Sequence, residues 1–294
     1  MLRRWVQAAS ALLQNAYLAF PWTGTLYQGR LKYLCTPGLN CYSCPAAVLS
    51  CPLGALQHFV GAVRPAVRWG TYRLGFYVAG FLIAVGLLSG RFPCGWLCPF
   101  GLLQDGLHRV PSAKIPVPRW MGALRYAALG ILVLFLPLAL TSSLGYGEAW
   151  FCRLVCPAGT LEAAGLFWIM PALREQVGPL FAWKLVLLAA VLTWAVASYR
   201  PYCRTLCPLG AIYGLFNRWS LVGVEWDPAL CRDCRACAEG CELEVDPRRH
   251  GRSAACLRCF GCARERCPTG ALSVRVGTRR FRPAPCDLPS TPAS

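Results

Sequence analysis

Stretches without a single charged residue alternate with short charged or cysteine-rich clusters along most of the 294-residue chain. Residues 5–29, 74–90 and 126–147 carry no charge, and 176–199 carry only Lys184, close enough to one end for its ammonium to reach an interface. A helix needs about 20 largely apolar residues to cross bilayer hydrocarbon, so each of these runs predicts a spanning helix. Trp5, Trp22, Trp69, Trp120, Trp150 and Trp183 stand near their ends, as interfacial anchors do. The pattern predicts an all-α integral membrane protein with about four transmembrane helices over residues 1–224. The first run contains Pro21 and lacks a small-residue cleavage site, so it reads as an anchor rather than a signal peptide. Lys and Arg number ten on the side of the N-terminus against eight on the other, which places both termini in the cytoplasm of a multi-pass cell-membrane protein.

Each apolar run is followed by a cysteine box. Box one holds Cys35, Cys41, Cys44 and Cys51; box two Cys94 and Cys98; box three Cys152 and Cys156; box four Cys203 and Cys207. All four end on Cys-Pro-x-Gly-x-(Leu/Ile), so the chain carries an internal repeat. Proline straight after cysteine suits the first turn of a helix, where its missing N–H costs nothing. Buried structural thiols are the plain alternative, but three Cys-x3-Cys pairs with one shared tail favour metal or cluster ligation. Successive spans reverse direction, so boxes two and four are expected on one side and boxes one and three on the other. Cys94, Cys98, Cys203 and Cys207 then make a full four-thiolate set. Boxes one and three offer six cysteines, Cys35, Cys41, Cys44, Cys51, Cys152 and Cys156, and spacing leaves open which of them bind.

Polarity changes after Asp227. Cys231-x2-Cys234-x2-Cys237-x3-Cys241 is followed by Cys256-x2-Cys259-x2-Cys262-x4-Cys267-Pro268, close to the two-cluster bacterial ferredoxin run. The tight spacing lets one loop wrap three corners of a cube while the distant fourth cysteine crosses to the other cluster. The sets implied are Cys231, Cys234, Cys237 and Cys267 for cluster one, and Cys241, Cys256, Cys259 and Cys262 for cluster two. A zinc ribbon would need two Cys-x2-Cys pairs rather than two triplets with trailing cysteines. Residues 225–275 are thus expected to form a small α+β ferredoxin-type domain, and 276–294 a disordered, Pro-rich tail in which Cys286 has no ligand role.

The segments CTPGLNCYSC, GRFPCGWLCPFGLLQD, FCRLVCPAGTLE and YRPYCRTLCPLGAIYGLFN, together with the double ferredoxin run, resemble the NapH/NosR-type membrane polyferredoxins over about residues 1–275. The resemblance implies a multi-pass 4Fe-4S protein that passes electrons between the quinone pool or a cytoplasmic donor and a partner redox enzyme. It implies an electron carrier rather than an enzyme with its own substrate. Two to four clusters are expected. A second reading gives some Cys-x3-Cys-Pro pairs to a soft ion such as Cu(I), in a copper reductase or metallocentre-assembly factor. A third is a sensor in which cluster loss changes a partner contact.

Composition and charge add two exclusions. Nineteen cysteines in a chain this long are too many and too closely spaced for a secreted disulfide framework. The formal charge of +17 invites a nucleic-acid reading, but the basic residues are spread along the chain without any nucleic-acid fold. Several arginines instead adjoin cysteines, and four oxidised cubanes would offset about eight of the positive charges. His58 and His108, on opposite sides by this topology, cannot share a haem iron, and His250 falls in a charged loop.

Overall fold

The computed structural model describes every residue except Met1, 71–74, 165, 172–174, 176 and 284–294. Cys286 and most of the tail lie outside the described residues. The chain divides into a larger body, residues 1–82 and 96–211, and a smaller one, 83–95 and 212–294.

The helices that matter for function are α1 (Leu2–Gln14), α2 (Pro52–Arg68), α3 (Phe76–Ser89), α4 (Pro99–Leu107), α5 (Arg119–Ala139), α6 (Pro157–Ala163), α7 (Pro179–Ala197), α8 (Pro201–Thr205) and α9 (Pro208–Phe216). Helices α5 and α7, 21 and 19 residues long, are apolar and long enough to cross a membrane. At 1.5 Å per residue they reach about 30 Å, the thickness of the hydrocarbon. Their apolar side chains face outward: Phe135 is 63% and Val186 64% exposed. The core helix of a water-soluble protein would bury such residues, so lipid is the solvent these faces suit. Helix α3 is equally apolar but has 14 residues, and 71–74 before it are not described.

The first uncharged run departs from expectation. Its helix stops at Gln14, and the next helical turn is only Phe20–Thr23, closed by Gly24 at φ 62°. The physical reason is that uncharged does not mean apolar. Gln7 and Gln14 are buried, Gln14 and Ser10 both donate to the Leu97 carbonyl at 2.9 and 3.1 Å, and Gln7 reaches Asp105. Helix α1 therefore packs a polar stripe against protein, and two helices of spanning length, not four, are present among the described residues.

In the smaller body, β1 (Val222–Trp226) pairs antiparallel with β2 (Leu272–Val276), Val224 opposite Val274, and β2 pairs with β3 (Arg279–Phe281). Gly277 at φ 61° makes the tight turn between β2 and β3. The sheet thus starts before residue 225 and runs past 275. Within the tail expected to be disordered, residues 279–281 are strand, because Phe281 and Arg280 extend the ladder opposite Val274 and Arg275.

Candidate metal centre

The two ferredoxin loops share one backbone design. In residues 231–237 the third and fifth positions, Asp233 and Arg235, take φ 54° and 56°; in 256–262 the same positions, Arg258 and Phe260, take φ 52° and 59°. Left-handed backbone costs a non-glycine residue about 1–2 kcal/mol, so its recurrence in register marks an imposed shape. Curling the chain twice turns three sulfurs to one side of each loop.

Cys231, Cys234, Cys237 and Cys267 line one cavity. The thiol from the second run thus joins three from the first. Cys241, Cys256, Cys259 and Cys262 form the other group, in which every sulfur lies within electrostatic reach of the rest. Burial pushes the thiols of Cys237 and Cys256 up to about 11. Backbone N–H groups oppose that push: those of Leu243 and Val245 point at the Cys241 sulfur and that of Arg258 at Cys256. Such donors favour thiolate over thiol. Among the described residues no three His, Cys, Asp or Glu side chains converge as for a single metal ion. Four soft sulfurs around a cavity fit a larger iron–sulfur cube.

The smaller body holds the second loop through Asn217. Its amide donates to the Ser253 and Cys256 carbonyls at 2.8 Å each and accepts from the Arg91 N–H at 2.9 Å and Arg258 Nε at 3.1 Å. Arg258, itself 1% exposed, also donates to the Asn217 carbonyl at 2.5 Å and to that of Val222. Asn217→Ala would remove the four side-chain amide bonds, at an expected cost of about 2–4 kcal/mol. Urea titration of the full chain, followed by loss of visible absorbance, measures it; an unchanged midpoint would show the amide to be dispensable.

The repeated Cys-Pro-x-Gly tail also has a local cause. Cys51, Cys98 and Cys156 each occupy the N-cap of the helix that follows, in extended conformation, with proline in the first turn. The glycine of the tail then brings its N–H to the capping sulfur: Gly159 donates to Cys156 at 3.3 Å, and Gly54 and Leu53 donate to Cys51. Sulfur here does what an oxygen does at an ordinary N-cap.

Spacing within the tail further hides a polar position that sequence reasoning passed over. Six residues after the capping cysteine stand Gln57, Gln104, Glu162 and Tyr213. Gln57 of box one donates to the Cys152 sulfur of box three at 3.0 Å, and Gln104 of box two to the Cys203 sulfur of box four at 3.1 Å. Glu162 of box three accepts from the Cys41 N–H, and burial lifts its carboxyl to about 7. The repeat register itself was the signal that could have found these residues.

These contacts pair box one with three and box two with four. They do not keep the pairs on opposite faces of a membrane. A Cβ added to Gly38 would lie 2.8 Å from the Cα of Cys98, and the buried Tyr202 feels Cys156, Cys207, Cys203 and Cys152 alike. No 30 Å slab of hydrocarbon separates boxes in such contact. The strict alternation of sides fails because the first run does not span and the boxes fold inward against protein, where irregular backbone is tolerated at depth.

The sequence pattern of a family described as 4Fe-4S binding domain matches residues 50–70, 74–118, 127–168 and 179–224; the first match takes in Cys51 of box one, and the others enclose boxes two, three and four. The chain belongs to the NapH/NosR-type polyferredoxin family. Within that family it is 32% identical over 254 residues to the regulatory protein NosR of Pseudomonas aeruginosa, covering 80% of this chain and 33% of that one. The match to NirI of Paracoccus denitrificans is 31% over 220 residues, 69% of this chain and 29% of NirI. The methylamine utilization ferredoxin-type protein MauN of the same organism is 32% identical over 157 residues, 53% of this chain and 49% of MauN. The polyferredoxin chain thus spans a third or less of NosR and NirI. No solved structure matches it. Family and exposed apolar helices together make this an iron–sulfur protein of electron-transfer type associated with a membrane.

Proposed function

We propose that this polyferredoxin is a membrane-bound electron carrier, with both termini cytoplasmic, that passes electrons between the quinone pool or a cytoplasmic donor and a partner redox enzyme. The observation that carries the reading is the interleaving of the two ferredoxin runs: Cys267 of the second run lines the cavity of the first, and Cys262 of one group lies within electrostatic reach of Cys237 of the other. Clusters held by these two sets would lie close enough to exchange electrons without a moving carrier. A 4Fe-4S cube, when bound, takes up and gives back one electron with little rearrangement. The protein contributes the four-sulfur cradles, the N–H groups aimed at sulfur and the burial that sets the potential.

Up to four clusters are proposed, the C-terminal two on the sets above and a third on Cys94, Cys98, Cys203 and Cys207, for which the box spacing and the Gln104 bond to Cys203 speak. The port for a soluble partner is proposed at Cys234, an exposed member of its set. Arg232, Arg235 and Arg248 line the same cavity, so the fitting partner presents an acidic surface. Electron transfer from an acidic ferredoxin should slow severalfold between about 0.01 and 0.15 M ionic strength, as the Debye length contracts from about 30 to 8 Å. Stopped-flow reduction measures this, and a rate indifferent to salt would remove the basic port.

The function itself is tested by a reversible redox titration of the full chain in detergent. Carrier action requires about one electron per cluster, in waves that retrace on reoxidation. Absorbance that never bleaches with dithionite, or that is lost for good on reduction, would overturn it.

A further inference from the structure

We propose that Cys41, Cys51, Cys152 and Cys156 form one four-thiolate cluster site and that Cys35 and Cys44 stay outside it. The assignment rests on the iron–sulfur reading above and settles which four of six thiols act together. Every pairing among these four sulfurs lies within mutual electrostatic reach. A Cβ added to Gly159 would stand 3.6 Å from the Cys156 sulfur and 3.7 Å from that of Cys41, so sulfurs from two boxes flank one small residue.

Each of the four is also met by a donor. Leu53 and Gly54 give N–H groups to Cys51, Gly159 gives one to Cys156, Ser43 donates to Cys41, and Gln57 Nε2 reaches Cys152. The Gln57 amide is held in that sense by the Phe151 N–H, which donates to its Oε1 at 2.9 Å. Fixed donors around these four sulfurs, of which Cys51 and Cys156 are buried, suit anionic thiolates better than neutral thiols.

The repeat explains why box one reaches so far back. Boxes two, three and four place a cysteine four residues before the capping one; in box one that position, residue 47, is alanine. Cys41 supplies the missing sulfur from the preceding loop. The resulting set mirrors Cys94, Cys98, Cys203 and Cys207, with Gln57 bonding Cys152 as Gln104 bonds Cys203. By contrast, burial alone acts on the Cys35 thiol, and its backbone is tied in a bridge to Ser50. The Cys44 thiol is met by the Ala46 and Ala47 N–H groups, but of the four cysteines only Cys41 acts on it, and none of Cys51, Cys152 and Cys156 feels it among its main influences.

An independent observation comes from Tyr202. Its side chain is fully buried, its hydroxyl has no hydrogen-bond partner among the described residues, and the thiols of Cys156, Cys207, Cys203 and Cys152 act on it electrostatically. An orphaned buried hydroxyl is costly. With a cluster bound, one of its sulfurs would accept the hydrogen bond of this phenol, which lies within electrostatic reach of thiols from both membrane-domain sets.

The test uses the full chain, purified anaerobically, with iron, acid-labile sulfide and the paramagnetic spectrum of the reduced protein as readouts. Cys51→Ala and Cys152→Ala should each lose the same signal and about four irons, and the double variant no more than either. Cys35→Ala, Cys44→Ala and Cys207→Ala should keep that signal. Gln57→Leu, which spares every thiol and so guards against loss by misfolding, should retain the iron and lower the midpoint potential of that one signal. The assignment falls if Cys35→Ala or Cys44→Ala erases the signal, if Cys51→Ala and Cys152→Ala erase different ones, or if Gln57→Leu leaves every potential unmoved. It also falls if the quartet variants keep full iron. Wild-type chain without acid-labile sulfide would instead sink the iron–sulfur reading beneath it.

Discussion

Asp105→Asn is expected to destabilise the chain by about 3–5 kcal/mol, the usual cost of removing one partner from a buried ion pair. Arg200 is fully buried and grips Asp105 with both arms, Nε to Oδ1 at 2.6 Å and Nη2 to Oδ2 at 2.5 Å, while Arg3 adds a contact at 3.1 Å. Without the carboxylate, a guanidinium would remain uncompensated in the protein interior. Arg200 also sits at φ 46° between α7 and α8, so the pair holds a strained link directly ahead of Cys203. Burial alone would raise the Asp105 carboxyl, but hydrogen bonds and charge from Arg200, then Arg3, hold it below the ordinary value. A depressed carboxylate contributes stability that is present above the unfolded value of about 4 and is lost as pH falls through the folded one. Wild type should therefore loosen in acid below about pH 4, and Asp105→Asn should be weak already at neutral pH and lose less on acidification. Thermal unfolding across pH checks both; equal stability of the two proteins at pH 7 would show the pair to be incidental.

A second large effect is expected from exchanging ligands between the ferredoxin runs. Cys267→Ala should release the cluster of Cys231, Cys234 and Cys237, with about four irons, and leave that of Cys256, Cys259 and Cys262 in place. Cys241→Ala should do the reverse. Paramagnetic spectra of the two reduced variants, with iron counts, decide the matter. If Cys267→Ala instead removes the cluster of its own run, the crossover seen in the cavity lining does not govern ligation.

The triplets Cys231, Cys234, Cys237 and Cys256, Cys259, Cys262 stood out in the sequence because they are local: a two-residue gap brings sulfurs to one side of a loop whatever the intervening residues. The backbone that achieves this was not readable. Asp233, Arg235, Arg258 and Phe260 adopt left-handed conformations that favour glycine, and only the tertiary frame imposes them. The membrane domain was legible as composition and as a repeat, less so as topology. Counting charges treated Gln7, Ser10 and Gln14 as lipid-compatible, whereas they bond to Asp105 and the Leu97 carbonyl. The alternation of sides inherited that error. The Asp105–Arg200 pair was invisible because 95 residues separate its partners. The polar residue six places after each capping cysteine lay in plain view, and only the Gln57 and Gln104 bonds to sulfur gave it meaning.

The claim beneath all of these expectations is that the thiols of the boxes and of the ferredoxin runs hold iron–sulfur clusters. The most direct measurement is iron and acid-labile sulfide per chain in full-length protein isolated without oxygen. Four cluster sites predict about sixteen of each, in equal amounts. Zinc or copper in place of iron, with no sulfide released by acid, would contradict it.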